Sequence, residues 1–283
     1  MDERREDGLG AAAGIGLTVV LVAATLGVAA LAALVGMIAR ARGFADAFAA
    51  VRLDPLLVGL AQLGGASVAI ALGVIWTRRE APLREALGVT PVSSAIAVLA
   101  LSAGLALAFP LREIANLVAD LVPALAPDPA AVRAAARQLH VGSLRDAIVV
   151  PLALVAVPAL AEELFFRGLL LPGLAKRHGP RVALGLSAVL FGLIHGSPLA
   201  ILVGTLAGLV LGWLRLRVRS VLPCVALHGA FNAVPVLLPP QLIRLRGFNT
   251  LELEHVSLPL ALGGALVAAA CLALVARFAD DEP

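Results

Sequence analysis

The sequence predicts an all-α fold: a polytopic membrane helical bundle of about eight transmembrane helices. Three observations predict it. Of 283 residues, 60% are hydrophobic and only 14% are charged, whereas a soluble domain carries about 25% charged residues. Apolar runs recur along the chain, several reaching the roughly 18 residues that mark a spanning helix. The basic residues stand at the ends of those runs, where Lys and Arg control topology. A membrane barrel would show alternating strands of about ten residues, and none is present.

The first run covers residues 11–39. It is longer than the roughly 7–15-residue apolar core of a signal peptide, so it reads as a retained span. The second and third spans fall at 55–77 and 90–110, separated by a short charged stretch over 78–87. Residues 111–145 mix Leu, Ile and Val with Arg112, Glu113, Asp120, Asp128, Arg133 and Arg137. That segment reads as interfacial, or as the cap of an entrance between helices, with a new helix beginning at Asp128 or Pro129. The fourth span is 146–174. The fifth and sixth, 181–196 and 198–214, are short and broken apart by Pro198, as in a tight hairpin. Gly204, Gly208 and Gly212 recur at i,i+4 in the sixth and mark a close packing face. The seventh and eighth spans are 219–238 and 256–278. The chain thus divides into a three-span scaffold with its amphipathic segment (1–145), a core (146–238), and a last span with a short tail (239–283).

With eight spans both termini share a side. The basic residues then divide 12 to 9 in favour of that side, which leans to cytoplasmic termini. Arg4, Arg5, Arg78, Arg79, Lys176 and Arg215 are among the 12, and Arg40, Arg42 and Arg112 among the 9. One Lys among 22 basic residues, with abundant Ala, Leu and Gly, suits a GC-rich bacterial genome and hence a bacterial inner membrane. The charge of +3 is scattered rather than patched, so the expected partner is the lipid bilayer and not nucleic acid. Cys224 and Cys271 lie in apolar segments without metal-type spacing and read as packing residues.

Ionisable groups within spans cost at least about 2.5–3.5 kcal/mol on insertion scales and usually mark function. Scanning the spans leaves Glu162, Glu163 and Arg167 in the fourth, His195 ending the fifth, and His228 with Asn232 in the seventh. At 1.5 Å of rise per residue, Glu162 lies about 21 Å from Lys176, and His195 about 21 Å from Arg181. His228 and Asn232 lie about 14 and 20 Å from Arg219. All three flanks are on one side, so these polar groups share a depth. Glu163 and Arg167 are i,i+4 and form an ion pair on one helix face. His228 and Asn232, also i,i+4, face one cavity.

These residues form three motifs in order: Glu162-Glu163-Leu164-Phe165-Phe166-Arg167 fits EExxxR, Phe191 to His195 fits FxxxH, and His228 to Asn232 fits HxxxN. In this order and in separate spans they resemble the CPBP, or Abi, family of intramembrane proteases, which includes the CAAX prenyl endopeptidases. The resemblance covers roughly residues 146–238. It implies an endopeptidase acting on a membrane-associated or lipidated protein. Glu162 and His195 would activate a water, and His228 and Asn232 would stabilise the oxyanion. Glu163 with Arg167 would hold the helix face, and Phe191 would pack.

Peptide hydrolysis needs an activated water and an oxyanion stabiliser, and these residue types supply both. No cofactor is required on that reading. A divalent metal such as zinc on Glu162, His195 and His228 is the alternative by ligand type, without the support of an HExxH sequence. Cys224, i,i+4 to His228, gives a dyad on paper. A proton-relaying transporter and a non-catalytic scaffold or bacteriocin-immunity protein are the competing functions. His140, His178 and His255 read as solvated loop residues, and Trp76 and Trp213 as interface anchors.

Overall fold

The computed structural model describes residues 8–40, 43–77, 81–239, 243–250 and 254–281. Within them it is all-helical. Arg4, Arg5, Arg42, Arg78 and Arg79 of the charge count lie outside the described residues, as do the stretch 78–80 and the last residues of the tail, 282–283. Eleven helices follow in order: α1 Ala11–Arg40, α2 Phe44–Leu53, α3 Pro55–Trp76, α4 Leu83–Ala86, α5 Ser94–Leu121, α6 Pro129–Gln138, α7 Leu144–His178, α8 Pro180–Leu193, α9 Pro198–Val218, α10 Leu222–Leu237 and α11 Leu258–Asp281. Six of them (α1, α3, α5, α7, α9 and α11) are long and apolar enough to cross a membrane. Helices α8 and α10, 14 and 16 residues long, are shorter than that.

Local chemistry sets the helix ends. Asp54 caps α3, its carboxylate accepting from Leu56 N at 2.9 Å and Leu57 N at 3.3 Å, with Pro55 at the first helical position. Asp128 caps α6 in the same way, accepting from Ala130 N at 2.8 Å ahead of Pro129. The helix start expected at Asp128 or Pro129 is therefore where it forms. Helix α2 was not evident in the sequence. It is short, and its apolar stripe of Ala47 and Val51 is buried against α1 and α3; tertiary packing, not length, makes it stable.

The third span differs from expectation. It was read as ending at residue 110, but α5 continues through Pro110 to Leu121. Leu111, Ala115 and Ala119 extend its buried stripe, and protein groups meet Arg112, Glu113 and Asn116 on it. Arg112 Nε and Asn116 Nδ2 donate to Gly247 O at 3.1 and 2.7 Å. Glu113 accepts from His255 Nδ1 at 2.8 Å and from Val256 N at 2.7 Å. His255 is thus paired, and His178 ends α7 instead of lying in a loop.

The bundle is organised around α7. From Phe165 to Leu171 every side chain, Arg167 included, is fully buried and Gly168 is buried with them, so this part of the helix is enclosed by others. Helices α3, α8, α9 and α10 pack against it. Peripheral α1 and α11 leave Val19, Leu31, Ile38, Leu262 and Leu266 exposed, an apolar surface suited to lipid. Helices α8 and α9 form the expected hairpin. The glycine stripe of α9 faces α8: a Cβ at Gly208 would come within 3.0 Å of Ala188 Cα, and one at Gly192 within 2.6 Å of Ile201 O.

This close approach leaves no room for a larger residue. Gly208→Val is expected to destabilise the fold by about 1–3 kcal/mol, the cost of overpacking. Unfolding of the purified protein in mixed micelles checks this; an unchanged midpoint would mean that the hairpin yields.

Candidate active site

Two stretches of α7, Leu152–Ala156 and Leu164–Leu170, are π-helical. Val157 N bonds back to Leu152 O, and Leu171 N to Phe166 O. Between them lies the α-helical segment Val157–Glu163, about two turns long, which ends on the two glutamates. Such widened turns are uncommon and concentrate at functional sites. Pro151 and Pro158 lack the N–H that a regular ladder would use, which accounts for part of the irregularity.

The two neighbouring glutamates point apart. Glu163 is fully buried, as is Arg167, and His228 is 6% exposed. Glu163 Oε1 accepts from Arg167 Nη1 and from His228 Nδ1, both at 2.9 Å. Arg167 Nη2 donates to Gly208 O at 3.1 Å. The guanidinium carbon stands 4.3 Å from the centre of the Phe191 ring, a cation–π contact between buried side chains. Phe191 also meets the rings of Phe166, His195 and His228 edge-on, at 5.2, 5.1 and 5.6 Å between centroids. Arg215, counted in the sequence only as a flank charge, donates from Nε to Arg167 O at 3.0 Å. One buried carboxylate therefore ties α7 to α10, and one guanidinium ties α7 to α9.

Glu162 faces a cavity of about 1020 Å³ that His195, His228 and Asn232 also line. A smaller cavity of about 160 Å³ adjoins it, again with His195, His228 and Asn232 on its wall. Glu162 Oε2 is buried and has no hydrogen-bond partner among the described residues. His195 lies just past α8, on a turn where Gly196 has φ of +78°. Its Nδ1 is 2.9 Å from Phe191 O. A carbonyl can only accept, so Nδ1 carries the hydrogen and the neutral ring leaves Nε2 as an acceptor. His228 is fixed in the same sense by Glu163. Of the sequence candidates, the structure thus brings Glu162, His195, His228 and Asn232 to one cavity and sets Glu163, Arg167 and Phe191 behind it. Cys224 is fully buried, its Sγ 3.4 Å from Leu211 O, and does not line the cavity.

The donor set was tested for a metal. Among the described residues no three His, Cys, Asp or Glu side chains converge closely enough to hold an ion. Glu162, His195 and His228 share a cavity.

The far part of the cavity holds residues the sequence reading did not place there: Gln62 of α3, and Arg112 and Asn116 of α5. The signal was an i,i+4 polar pair, Arg112 and Asn116, beyond Pro110. The connectors after α5, α8 and α10 contribute Pro127, Ser197 and Thr250 to the wall, so the cavity lies toward one end of the bundle. At the other end Leu9 N bonds Gly173 O at 2.9 Å, and Arg217 pairs with Asp280.

Removing one partner of a buried pair strands the other charge. Arg167→Met is expected to destabilise by about 3–5 kcal/mol. Glu163→Gln combined with Arg167→Met should cost clearly less than the sum of the two single changes. A double-mutant cycle of unfolding measurements decides this, and additive effects would show the pair to be uncoupled.

Comparison with known proteins gives one match. Residues 144–234 match the family model described as Type II CAAX prenyl endopeptidase Rce1-like. No curated protein and no solved structure matches the chain. The matched segment runs from the start of α7 to within α10 and contains all three motifs. Over residues 144–234, then, this chain carries an Rce1-like domain of the CPBP/CAAX protease family.

Proposed function

We propose that the protein is an intramembrane endopeptidase that hydrolyses a peptide bond near the C-terminus of a membrane-associated or lipidated protein. One observation carries the reading: a buried, unpartnered carboxylate oxygen of Glu162 on a cavity shared with His195, His228 and Asn232, all within the matched domain. A carboxylate taken out of water and left without donors is suited to accept a proton.

In the proposed reaction a water lies between Glu162 and His195. Its proton passes to the Glu162 carboxylate as its oxygen attacks the scissile carbonyl. The negative charge that forms on the carbonyl oxygen is met by the Asn232 amide. His228 adds a second donor when Nε2 as well as Nδ1 carries hydrogen, since Nδ1 is spent on Glu163. Glu162 then returns its proton to the departing amine, which restores the carboxylate. Glu163, Arg167 and Phe191 do not touch the substrate; they hold His228 and the α7 backbone in register. All steps in this proposal are carried by side chains. Eight membrane crossings, a bacterial inner-membrane location and cytoplasmic termini complete the reading.

Glu162→Gln is expected to lower cleavage by about 10²–10⁴-fold, the usual worth of a general base. Asn232→Ala should lower kcat by about 10²–10³-fold, as loss of an oxyanion donor does. Comparing protein C-termini in membranes of cells with wild type or Glu162→Gln checks the first. Longer forms accumulating in the mutant support the peptidase; identical termini at equal expression would favour a scaffold. Kinetics on any substrate so found check the second.

A further inference from the structure

Residue 167 is held twice by α9. Its guanidinium donates to Gly208 O at 3.1 Å, and its backbone carbonyl accepts from Arg215 Nε at 3.0 Å. Gly208 and Arg215 are seven residues apart, about two turns of helix, and so share a face. The first bond belongs to the charge network of Glu163. The second has a different origin, because a helix ordinarily satisfies its own carbonyls.

That origin is the π-helical turn. In an α turn Arg167 O would accept from residue 171, and in a π turn from residue 172. Leu171 N bonds Phe166 O instead, and residue 172 is Pro, which has no N–H. Neither ladder serves this carbonyl, and it lies in a fully buried stretch of α7, where an unpaired acceptor is costly. Arg215 supplies the donor that the π turn withdraws. Its own seat is closely built. Gly88, just after α4, has φ of +67°, and a Cβ there would run into Arg215 Nη2. The same turn is pinned by Val221 N, which donates to Gly88 O at 2.9 Å. It also presses on α7: a Cβ at Gly168 would come within 3.0 Å of Leu87 O.

The register of this turn decides what the residues before it face. A π turn takes one residue more than an α turn. Closing it shifts the helix ahead of it by one residue, a rotation of about 100°. The residues immediately ahead are Glu162 and Glu163, which are themselves one residue apart. A slip of that size would take Glu162 off the cavity and Glu163 off Arg167 and His228.

We propose that Arg215 is a positioning residue: by holding Arg167 O it fixes the register of the π turn, and with it which of the two adjacent glutamates faces the cavity. It lines neither cavity itself and acts through α7. Its consequence for catalysis rests on the peptidase reading above, but the test reads orientation and does not need cleavage. Full-length protein in lipid nanodiscs is treated with dicyclohexylcarbodiimide, an apolar reagent for carboxyl groups within membranes, and the labelled residue is located by peptide mass spectrometry. Wild type should carry the label on Glu162 and not on Glu163. Arg215→Met should lose that preference. Arg215→Met with Pro172→Ala should regain it, because residue 172 then has the N–H that a π turn offers to Arg167 O. Pro172→Ala alone should label as wild type does. If Arg215→Met fails to fold, the double variant should fold, whereas Pro172→Ala should not offset Gly208→Val. A merely structural arginine would not be replaced by an N–H on another helix. Wild type labelled on both glutamates or on neither, a preference that survives Arg215→Met, no rescue by Pro172→Ala, or an equal rescue of Gly208→Val overturns the proposal. On a cleaved substrate Arg215→Met should lower kcat by about 10²-fold with KM little changed, as a small misplacement does, and Pro172→Ala should restore it. The expected labelling without cleavage by the wild type would sink the peptidase reading and leave the role of Arg215 standing.

Discussion

The structure depends on a carboxylate that never meets the cavity. Glu163 is fully enclosed, and its Oε1 joins Arg167 and His228. Burying such charges costs several kcal/mol for each ion, and their mutual attraction offsets this only when geometry is good and the remaining hydrogens are used. Here they are used in part: the second Nη group takes Gly208 O and the guanidinium face takes Phe191, while Arg167 Nε and Glu163 Oε2 have no hydrogen-bond partner among the described residues. The glycine stripe of α9 has a double role as a result. It lets α8 come close, and it leaves a backbone carbonyl open for Arg167 to reach.

The same network explains why adjacent glutamates can do different work. Their side chains leave the helix about 100° apart. Glu163 is held by two donors and Glu162 by none. π-helical stretches lie on either side of the pair, and across the second of them Arg167 still reaches Glu163 at 2.9 Å. His195 and His228 each spend Nδ1 on an acceptor and turn Nε2 away from it. His228 lies on α10 and His195 just past α8, both short helices.

Much of this was legible in the sequence. Composition and apolar runs indicated an all-helical membrane bundle, and helices stand at all eight places where spans were expected. The depth calculation grouped Glu162, His195, His228 and Asn232, which share a cavity, because helical rise turns residue counts from a common flank into depth. The pairing of Glu163 with Arg167 followed from i,i+4 spacing. What could not be read was contact between distant segments. Pro110 looked like an end because nothing local shows that Gly247 lies 135 residues away to receive Arg112. The bond from His228 to Glu163 was hidden for the same reason. The π turns have no periodicity of their own, and α2 is too short to announce itself.

The position of the cavity also bears on how a substrate would enter. Its wall is completed by the connectors after α5, α8 and α10, whereas Leu9 and Asp280 are tied down at the far end. On the proposed peptidase reading, a protein tail that reaches Glu162 past those connectors comes from the end of the bundle opposite Leu9 and Asp280, and it meets three connectors before it meets the glutamate.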